Sequence, residues 1–116
     1  MKKVSLVFLA LFIFSCEAVF VEDISSDTVV LQAPMNSVIL TAGNITFSWQ
    51  LLEAADFYQI QIATPNFQNA MQIIIDSITT ENSVVKNLTT GDYQWRVKAI
   101  NSAYETPHST TNIVVN

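Results

Sequence analysis

The chain has 116 residues, of which 50% are apolar and 13% are charged, with one cysteine and a formal net charge of −5. This length predicts one domain with a packed core and is short for an enzyme that carries a separate substrate domain. The single cysteine excludes a disulfide framework or a cysteine-rich zinc site. The low fraction of charged residues argues against a disordered chain. The excess of acidic over basic residues argues against nucleic-acid binding.

The N-terminus has the layout of a secretion signal. Lys2 and Lys3 are followed by a mostly apolar run, residues 4–14, which only Ser5 interrupts. As a helix, these eleven residues would span about half of a bilayer core, so they are too short to cross a membrane. A buried helix of the fold is the alternative, but the run is not amphipathic. We therefore predict a signal peptide over residues 1–15.

The lone cysteine lies directly after this run, in the sequence Ile13-Phe14-Ser15-Cys16. These residues resemble the lipobox of bacterial lipoproteins, in which a small residue precedes a cysteine that is lipidated and becomes the new N-terminus. The resemblance implies that Cys16 anchors the protein to the outer membrane through its acyl chains, without a spanning helix. An inert cysteine in an ordinary signal peptide is the alternative.

Residues 16–27 are predicted to be the lipidated cysteine and a tether. The segment mixes Glu17, Glu22, Asp23 and Asp27 with a few apolar residues and shows no sustained period. Its last eleven residues would reach at most about 36–40 Å. Acids after a lipidated cysteine resemble the export signals of Bacteroidetes surface lipoproteins, but solvated linker charge explains them equally well. The membrane face therefore stays undecided.

Removal of residues 1–15 changes the charge balance of the protein. Only Lys86, Arg96 and Lys98 then remain as basic residues, against ten acidic ones. Such an acidic protein is repelled by anionic lipid headgroups. We expect the domain to stand off the membrane.

The remainder, residues 28–116, has the pattern of an all-β domain. Short alternating or continuous apolar runs predict seven strands, at residues 29–31, 44–49, 57–63, 71–75, 83–86, 93–99 and 110–115. The intervening segment Leu51–Ala55 is too short for more than one helical turn. Seven short strands with polar connections are typical of an antiparallel sandwich.

Three segments resemble a fibronectin type III domain: Phe47-Ser48-Trp49, Tyr58-Gln59-Ile60, and Leu88 followed by the run from Tyr93 to Asn101. The resemblance covers about residues 33–116 and implies a seven-stranded immunoglobulin-like sandwich. Trp95 and the stretch from Ile60 to Phe67 resemble the domains of Bacteroidetes secreted proteins. This domain family has no catalytic residues to carry over.

The resemblance gives the marked residues a packing role. The predicted core consists of Phe47, Trp49, Tyr58, Ile60, Ile62, Val85, Leu88, Tyr93, Trp95, Val97 and Ala99. Tyr93 resembles the tyrosine corner of such domains, whose hydroxyl bonds the backbone upstream, here near Leu88. Carbohydrate stacking by Trp49 or Trp95 is the alternative, but both tryptophans share the phase of the inward-facing residues. Arg96 and Lys98 point outward, solvated or paired with acids.

The sequence offers little for catalysis. His108 is the sole imidazole and has no histidine or cysteine partner at metal-binding spacing. Glu53 and Asp56 flank a turn, which favours a solvated loop over a glycosidase pair. Two distant glycines exclude a phosphate-binding loop. We predict that the protein is not an enzyme and holds no cofactor or metal.

Binding is therefore expected to use the loops. In this fold the connections after strands two, four and six, here residues 50–56, 76–82 and 101–109, lie at one end, from which the tether also starts. Tyr104 is the best candidate for an exposed aromatic contact, with Glu105 and His108 beside it and Glu53 and Asp56 in the first loop. A Tyr104 that folds back onto the sandwich is the alternative.

The sequence therefore leads to a hypothesis of a non-enzymatic envelope lipoprotein that binds a protein partner as an accessory of an outer-membrane complex. A glycan-binding accessory of a polysaccharide-uptake system is the second hypothesis, and an inhibitor or chaperone-like binder is the third. Asp27-Thr28-Val29 and Asp76-Ser77-Ile78 resemble the O-glycosylation sites of Bacteroidetes, although so short a match recurs by chance.

Overall fold

A computed structural model describes residues 20–116, in which the chain forms two packed β-sheets. The predicted signal peptide and Cys16 lie outside the described residues. The strands are β1 (Leu31–Ala33), β2 (Val38–Leu40), β3 (Gly43–Trp49), β4 (Phe57–Thr64), β5 (Gln72–Thr79), β6 (Ser83–Leu88), β7 (Gly91–Ile100) and β8 (Ser109–Val115). The predicted all-β sandwich is confirmed.

The two sheets differ in size and order. One has three strands in the order β1-β3-β6, and the other has five in the order β2-β8-β7-β4-β5. Every pairing is antiparallel except that of β2 with β8, which is parallel and pairs Val38 with Ile113. No helix in residues 20–116 has the length and apolar character that crossing a bilayer requires.

The period-2 pattern of β7 shows why these residues form a sandwich. Tyr93, Trp95, Val97 and Ala99 are buried, while the residues between them are half-buried on the outer face. A strand that alternates in this way covers the core with one face and meets water with the other. The same alternation in β3 buries Ile45, Phe47 and Trp49 against it from the opposing sheet.

The core contains ten of the eleven side chains assigned to it from the sequence: Phe47, Trp49, Tyr58, Ile60, Ile62, Leu88, Tyr93, Trp95, Val97 and Ala99. The rings of Phe47 and Trp95 pack edge to face, with their centroids 5.1 Å apart. The Tyr93 hydroxyl donates a 2.8 Å hydrogen bond to the Thr89 carbonyl oxygen, one residue beyond Leu88. This bond has the form of the predicted tyrosine corner.

The assignment of Val85 to the core is wrong, because its side chain is 59% exposed. Leu88 is buried, and residues three positions apart in a regular strand point to opposite faces. Val84 therefore takes the inward position and packs against the core.

The strand predictions differ from the structure in the number of strands, in one pairing direction and at several strand ends. The three-residue strand β2 was missed, so residues 20–116 contain eight strands, and the expectation of purely antiparallel pairing is wrong for β2 and β8. The first strand begins at Leu31 rather than residue 29. Strand β5 continues through Asp76 to Thr79, since Asp76 pairs with Gln61 in the adjacent strand β4.

The boundary predicted between tether and domain also differs from the structure. Ile24 is fully buried within the core cluster, although it lies in the segment interpreted as a tether. Single apolar residues in an acidic stretch carry no period, so the sequence gives no signal that one of them packs. The ordered part of the domain therefore begins before Thr28.

Candidate binding surface

The end of the sandwich that includes the first described residues is formed by three chain segments. These are the N-terminal segment 20–24, the loop 50–56 between β3 and β4, and the loop 101–108 between β7 and β8. A short turn, residues 80–82, completes this end. We call it the anchor-side end, because Phe20 is only four residues in the sequence from Cys16, the residue predicted to carry the lipid.

Asn101 holds these segments together. Its Nδ2 donates to the carbonyl oxygens of Glu22, at 2.9 Å, and Ala54, at 3.1 Å. Its Oδ1 accepts from the backbone N–H groups of Ala103, at 3.0 Å, and Tyr104, at 2.8 Å. The side chain is only 8% exposed, so it satisfies backbone groups of all three segments in a nearly dry environment.

Two further contacts fix the loop between β3 and β4. The hydroxyl of Tyr58 accepts a 2.7 Å hydrogen bond from the backbone N–H of Leu52. The backbone N–H of Asp56 donates to the carbonyl oxygen of Ile100, at 2.8 Å. The loop is therefore tied to both a core tyrosine and the last residue of β7.

Apolar side chains project from this fixed end. Phe20 is 99% exposed, Leu51 is 67% exposed and Tyr104 is 38% exposed. A cleft of about 320 Å³ lies between the N-terminal segment and the loops, lined in part by Phe20, Asp56 and Ser102. This end can therefore offer a partner apolar contacts on a backbone that is already ordered.

The predicted site residues divide into two groups. Tyr104, Glu53 and Asp56 are exposed on the loops of the anchor-side end. Glu105 instead forms a 2.7 Å ion pair with Lys98, an outward residue of β7. The hydrogen bond and the charge of Lys98 lower the pKa of Glu105 below its ordinary range.

His108 belongs to the second group. Partial burial lowers its pKa, and the positive charges of Arg96 and Lys98 lower it further. Arg96 itself donates from Nε to Oε1 of Gln61 at 2.7 Å and stacks its guanidinium 3.9 Å from the ring centre of Phe67. Glu105 and His108 are thus electrostatically coupled to the outer face of the five-stranded sheet.

Two expectations about side-chain roles can be compared with the described part of the chain. Trp49 and Trp95 are fully buried, so neither ring is available for stacking on a sugar. Lys98 is paired with an acid as expected, whereas Arg96 contacts an amide and a ring. Within residues 20–116, no group of three or more histidine, cysteine, aspartate or glutamate side chains is placed to hold a metal ion.

Sequence reasoning did not identify Asn101 as an organising residue. The signal was its position immediately after a long strand, where an asparagine side chain can bond loop backbone two or three residues ahead. Its bonds to Glu22 and Ala54 join residues 79 and 47 positions away in the chain, and no local pattern indicates them.

No protein-family model and no curated protein matches the sequence. Among solved structures, the fibronectin(III)-like modules of Clostridium thermocellum CbhA are 13% identical, with a TM-score of 0.57 over 77% of this chain and 96% of that one. The fn3 domain of the human collagen alpha-1(XX) chain is also 13% identical, with a TM-score of 0.56 and coverage of 78% and 88%. The fn3 domain of human contactin 1 is 21% identical, with a TM-score of 0.51 and coverage of 86% and 89%. The chain thus has the fold of a single fibronectin type III-like domain.

Proposed function

We propose that the protein is a non-enzymatic lipoprotein of the bacterial outer membrane whose domain binds a protein partner, as an accessory of a membrane complex. The observation that carries this proposal is the Asn101 side chain, which fixes two loops and the N-terminal segment as one surface. Exposed Phe20, Leu51 and Tyr104 give that surface apolar contact area. Aromatic side chains exposed on a fixed backbone are typical anchors of protein interfaces.

The lipid anchor and the binding surface lie close together in this proposal. The Glu22 carbonyl is bonded to Asn101 and Ile24 is buried, so the domain takes up the second half of the predicted tether. Cys16 and Glu22 are six residues apart, a span of at most about 20–22 Å. A lipidated Cys16 would therefore keep the anchor-side end near the membrane, where a membrane-embedded partner could reach it.

The charge of this end indicates the chemistry of the partner. Glu22, Asp23, Asp27, Glu53 and Asp56 all lie in or beside its segments. Carboxylates of this density disfavour direct contact with anionic lipid headgroups and favour a protein surface with basic groups. We therefore expect a partner that combines an apolar pocket with surrounding lysine or arginine.

Truncation of Tyr104 tests the proposal. The full chain would be expressed in a bacterium that lipidates it, solubilised, and used to capture partners that are quantified by mass spectrometry. Tyr104→Ala should weaken binding of the specific partner by about 1–2 kcal/mol, which is a loss of affinity of roughly five- to thirtyfold. The melting temperature of the domain should not change. Met71→Ala is the matched control, because Met71 is 88% exposed and precedes β5 at the opposite end.

Two outcomes would contradict the assignment of the site. If the melting temperature falls together with capture, Tyr104 is a packing residue. If Tyr104→Ala and Met71→Ala leave capture equally unchanged, the partner contacts another part of the domain.

A further inference from the structure

A groove on the outer face of the five-stranded sheet is separate from the anchor-side end. It has a volume of about 520 Å³ and lies between the connection 65–71 and the sheet. Its floor is the beginning of β7 and the end of β8, where Asp92 pairs with Val114 and Gln94 pairs with Asn112. The groove is thus at the end of the domain opposite Asn101. This volume is within the range of about 300–1,000 Å³ that is typical of small-ligand sites.

The groove is lined mainly by amides. Its polar side chains are Asn66, Gln68, Asp92, Gln94 and Asn112, and its apolar contributions include Pro65 and Val114. Amides both donate and accept hydrogen bonds, and a carboxylate accepts them from two hydroxyls at once. This combination suits a ligand that carries many hydroxyl groups and little apolar surface.

Several of these polar groups are available to a ligand. Among residues 20–116, the carboxylate of Asp92 and the side-chain amide of Gln68 have no hydrogen-bond partner, and neither do the Nδ2 groups of Asn66 and Asn112. The Oδ1 of Asn66 is used locally, because it accepts from the backbone N–H of Asn69 at 2.7 Å. The residues that carry these free donors and the free carboxylate therefore line the same groove.

The groove is held in shape before any ligand binds. Gln94 donates from Nε2 to Oδ1 of Asn112 at 2.9 Å and accepts from the backbone N–H of Phe67 at 2.9 Å. The Phe67 ring stacks on Arg96, and the Thr64 hydroxyl donates to the Asp92 carbonyl oxygen at 2.6 Å. The connection that forms one wall is therefore attached to β7 through the backbone and the ring of Phe67, and Thr64 attaches the end of β4 beside it, which lowers the entropy cost of binding.

We propose that this groove binds a neutral oligosaccharide. Hydroxyls of the sugar bond the free amides and the Asp92 carboxylate, and Pro65 and Val114 contact its C–H faces. An acidic saccharide is disfavoured, because Asp92 lies in the groove and the described residues carry nine carboxylates against three basic side chains. An extended peptide is less favoured, since the groove offers little apolar surface to its side chains.

The test is a titration of the full chain, labelled with ¹⁵N and solubilised in an amine-oxide detergent that contains no sugar. The probes are cellohexaose, xylohexaose and mannohexaose, with oligogalacturonate as the acidic arm and a Val-Thr-rich decapeptide as the peptide arm. Concentrations up to about 10 mM allow detection of a Kd of about 1 mM. At least one neutral probe should shift the side-chain amide signals of Asn66, Gln68, Gln94 and Asn112. The amides of Asn44 and Asn87, on the other sheet, serve as internal controls.

Substitutions then locate the site. Asp92→Ala should raise the Kd of the neutral probe about tenfold or more, because a hydrogen bond to a charged group is lost. Gln68→Ala should raise the Kd less, and Glu81→Ala, in the turn at the anchor-side end, should leave it unchanged. Melting curves should coincide for all three variants, because none of these side chains donates or accepts a hydrogen bond within residues 20–116.

Three results would overturn the proposal: no shift with any neutral probe, equal affinity of Asp92→Ala and the unaltered chain, or shifts caused only by oligogalacturonate or the decapeptide. None of them bears on the protein-binding proposal, which concerns the opposite end of the domain.

Discussion

Trp49 and Trp95 contribute most to the core at the scale of single residues, because they are its largest fully buried side chains. Trp95 packs against Phe47, and Trp49 lies 5.8 Å from Tyr58 between ring centroids. Neither indole N–H finds an acceptor within residues 20–116, so burial of the rings rather than hydrogen bonding stabilises them. Each ring removes about 150–250 Å² of surface from water.

Truncation of either ring should therefore cost about 3–5 kcal/mol of unfolding free energy, a large part of the total of about 5–15 kcal/mol. Trp95→Phe should cost less than Trp95→Ala, because it keeps an aromatic ring and removes the unpaired donor. Urea denaturation measures both, with Leu51→Ala as an exposed control that should stay within about 0.5 kcal/mol. A loss of less than about 1 kcal/mol for Trp95→Ala would contradict this account of the core.

Asn101 is tested by an isosteric change. Asn101→Asp keeps the shape but replaces the Nδ2 donor by an oxygen that faces the carbonyls of Glu22 and Ala54. We expect a loss of about 1–3 kcal/mol, the cost of leaving buried polar groups unsatisfied. Proteolytic cleavage within residues 20–24 should also become faster, because the bond that holds the Glu22 carbonyl is lost. Asn87→Asp is the matched control, since the Asn87 Nδ2 bonds Asn44 on an exposed surface and its loss should cost under about 1 kcal/mol.

His108 should make stability depend on pH. The pKa of His108 in the folded state is below the ordinary value of 6.5, so between these two pKa values the unfolded chain binds more protons than the folded chain. The stability that neutral His108 contributes is therefore fully present above pH 6.5 and is lost as the pH falls through the lower folded pKa. His108→Gln should flatten the decline in urea midpoint between about pH 7 and pH 5. An equal decline in both proteins would assign it to other groups. The depressed pKa of Glu105 acts only at lower pH, below its ordinary 4.5.

At the scale of elements, β5 is distinctive, because it is an eight-residue strand at the edge of the five-stranded sheet. Its single charge is Asp76, and Ile73 and Ile78 are 47% and 59% exposed. Long edges without lysine or proline can pair with further strands. The other edge of that sheet, β2, has only three residues and offers far less backbone.

A charge placed on this edge should therefore reduce self-association. Ile78→Lys should shift the sedimentation or light-scattering profile at high protein concentration toward monomer, with unfolding free energy changed by under about 0.5 kcal/mol. Leu51→Lys provides the comparison, because Leu51 is 67% exposed in the loop between β3 and β4 and belongs to no strand. An identical effect of both substitutions would indicate a general charge effect rather than pairing along β5.

At the scale of the whole molecule, the proposal that Cys16 is lipidated predicts how the protein is attached to a membrane. Cys16→Ser should abolish incorporation of labelled fatty acid and release the protein into the soluble envelope fraction, since one or more acyl chains would no longer partition into the bilayer. Ser15→Ala, which keeps a small residue before the cysteine, is the control for expression and export. A Cys16→Ser protein that resists carbonate extraction from membranes would contradict the lipoprotein interpretation.

The sequence by itself determined the fold class and most of the core. Alternation in the run from Tyr93 to Ala99 required a half-buried strand, and the phase of Trp49 and Trp95 placed both rings inside, because period-2 patterning is a local property that needs no partner. The loop position of Tyr104 followed from the same pattern.

Only the tertiary structure decided the features that depend on contacts between distant segments. The parallel pairing of Val38–Leu40 with β8 exists because β8 presents an edge there, and three residues are too few for a periodic signal. Burial of Ile24, the bonds from Asn101 to Glu22 and Ala54, and the amide-lined groove over β7 and β8 each join residues far apart in the chain. Local patterning sets which face of a strand is apolar, whereas long-range packing sets which loops and termini meet.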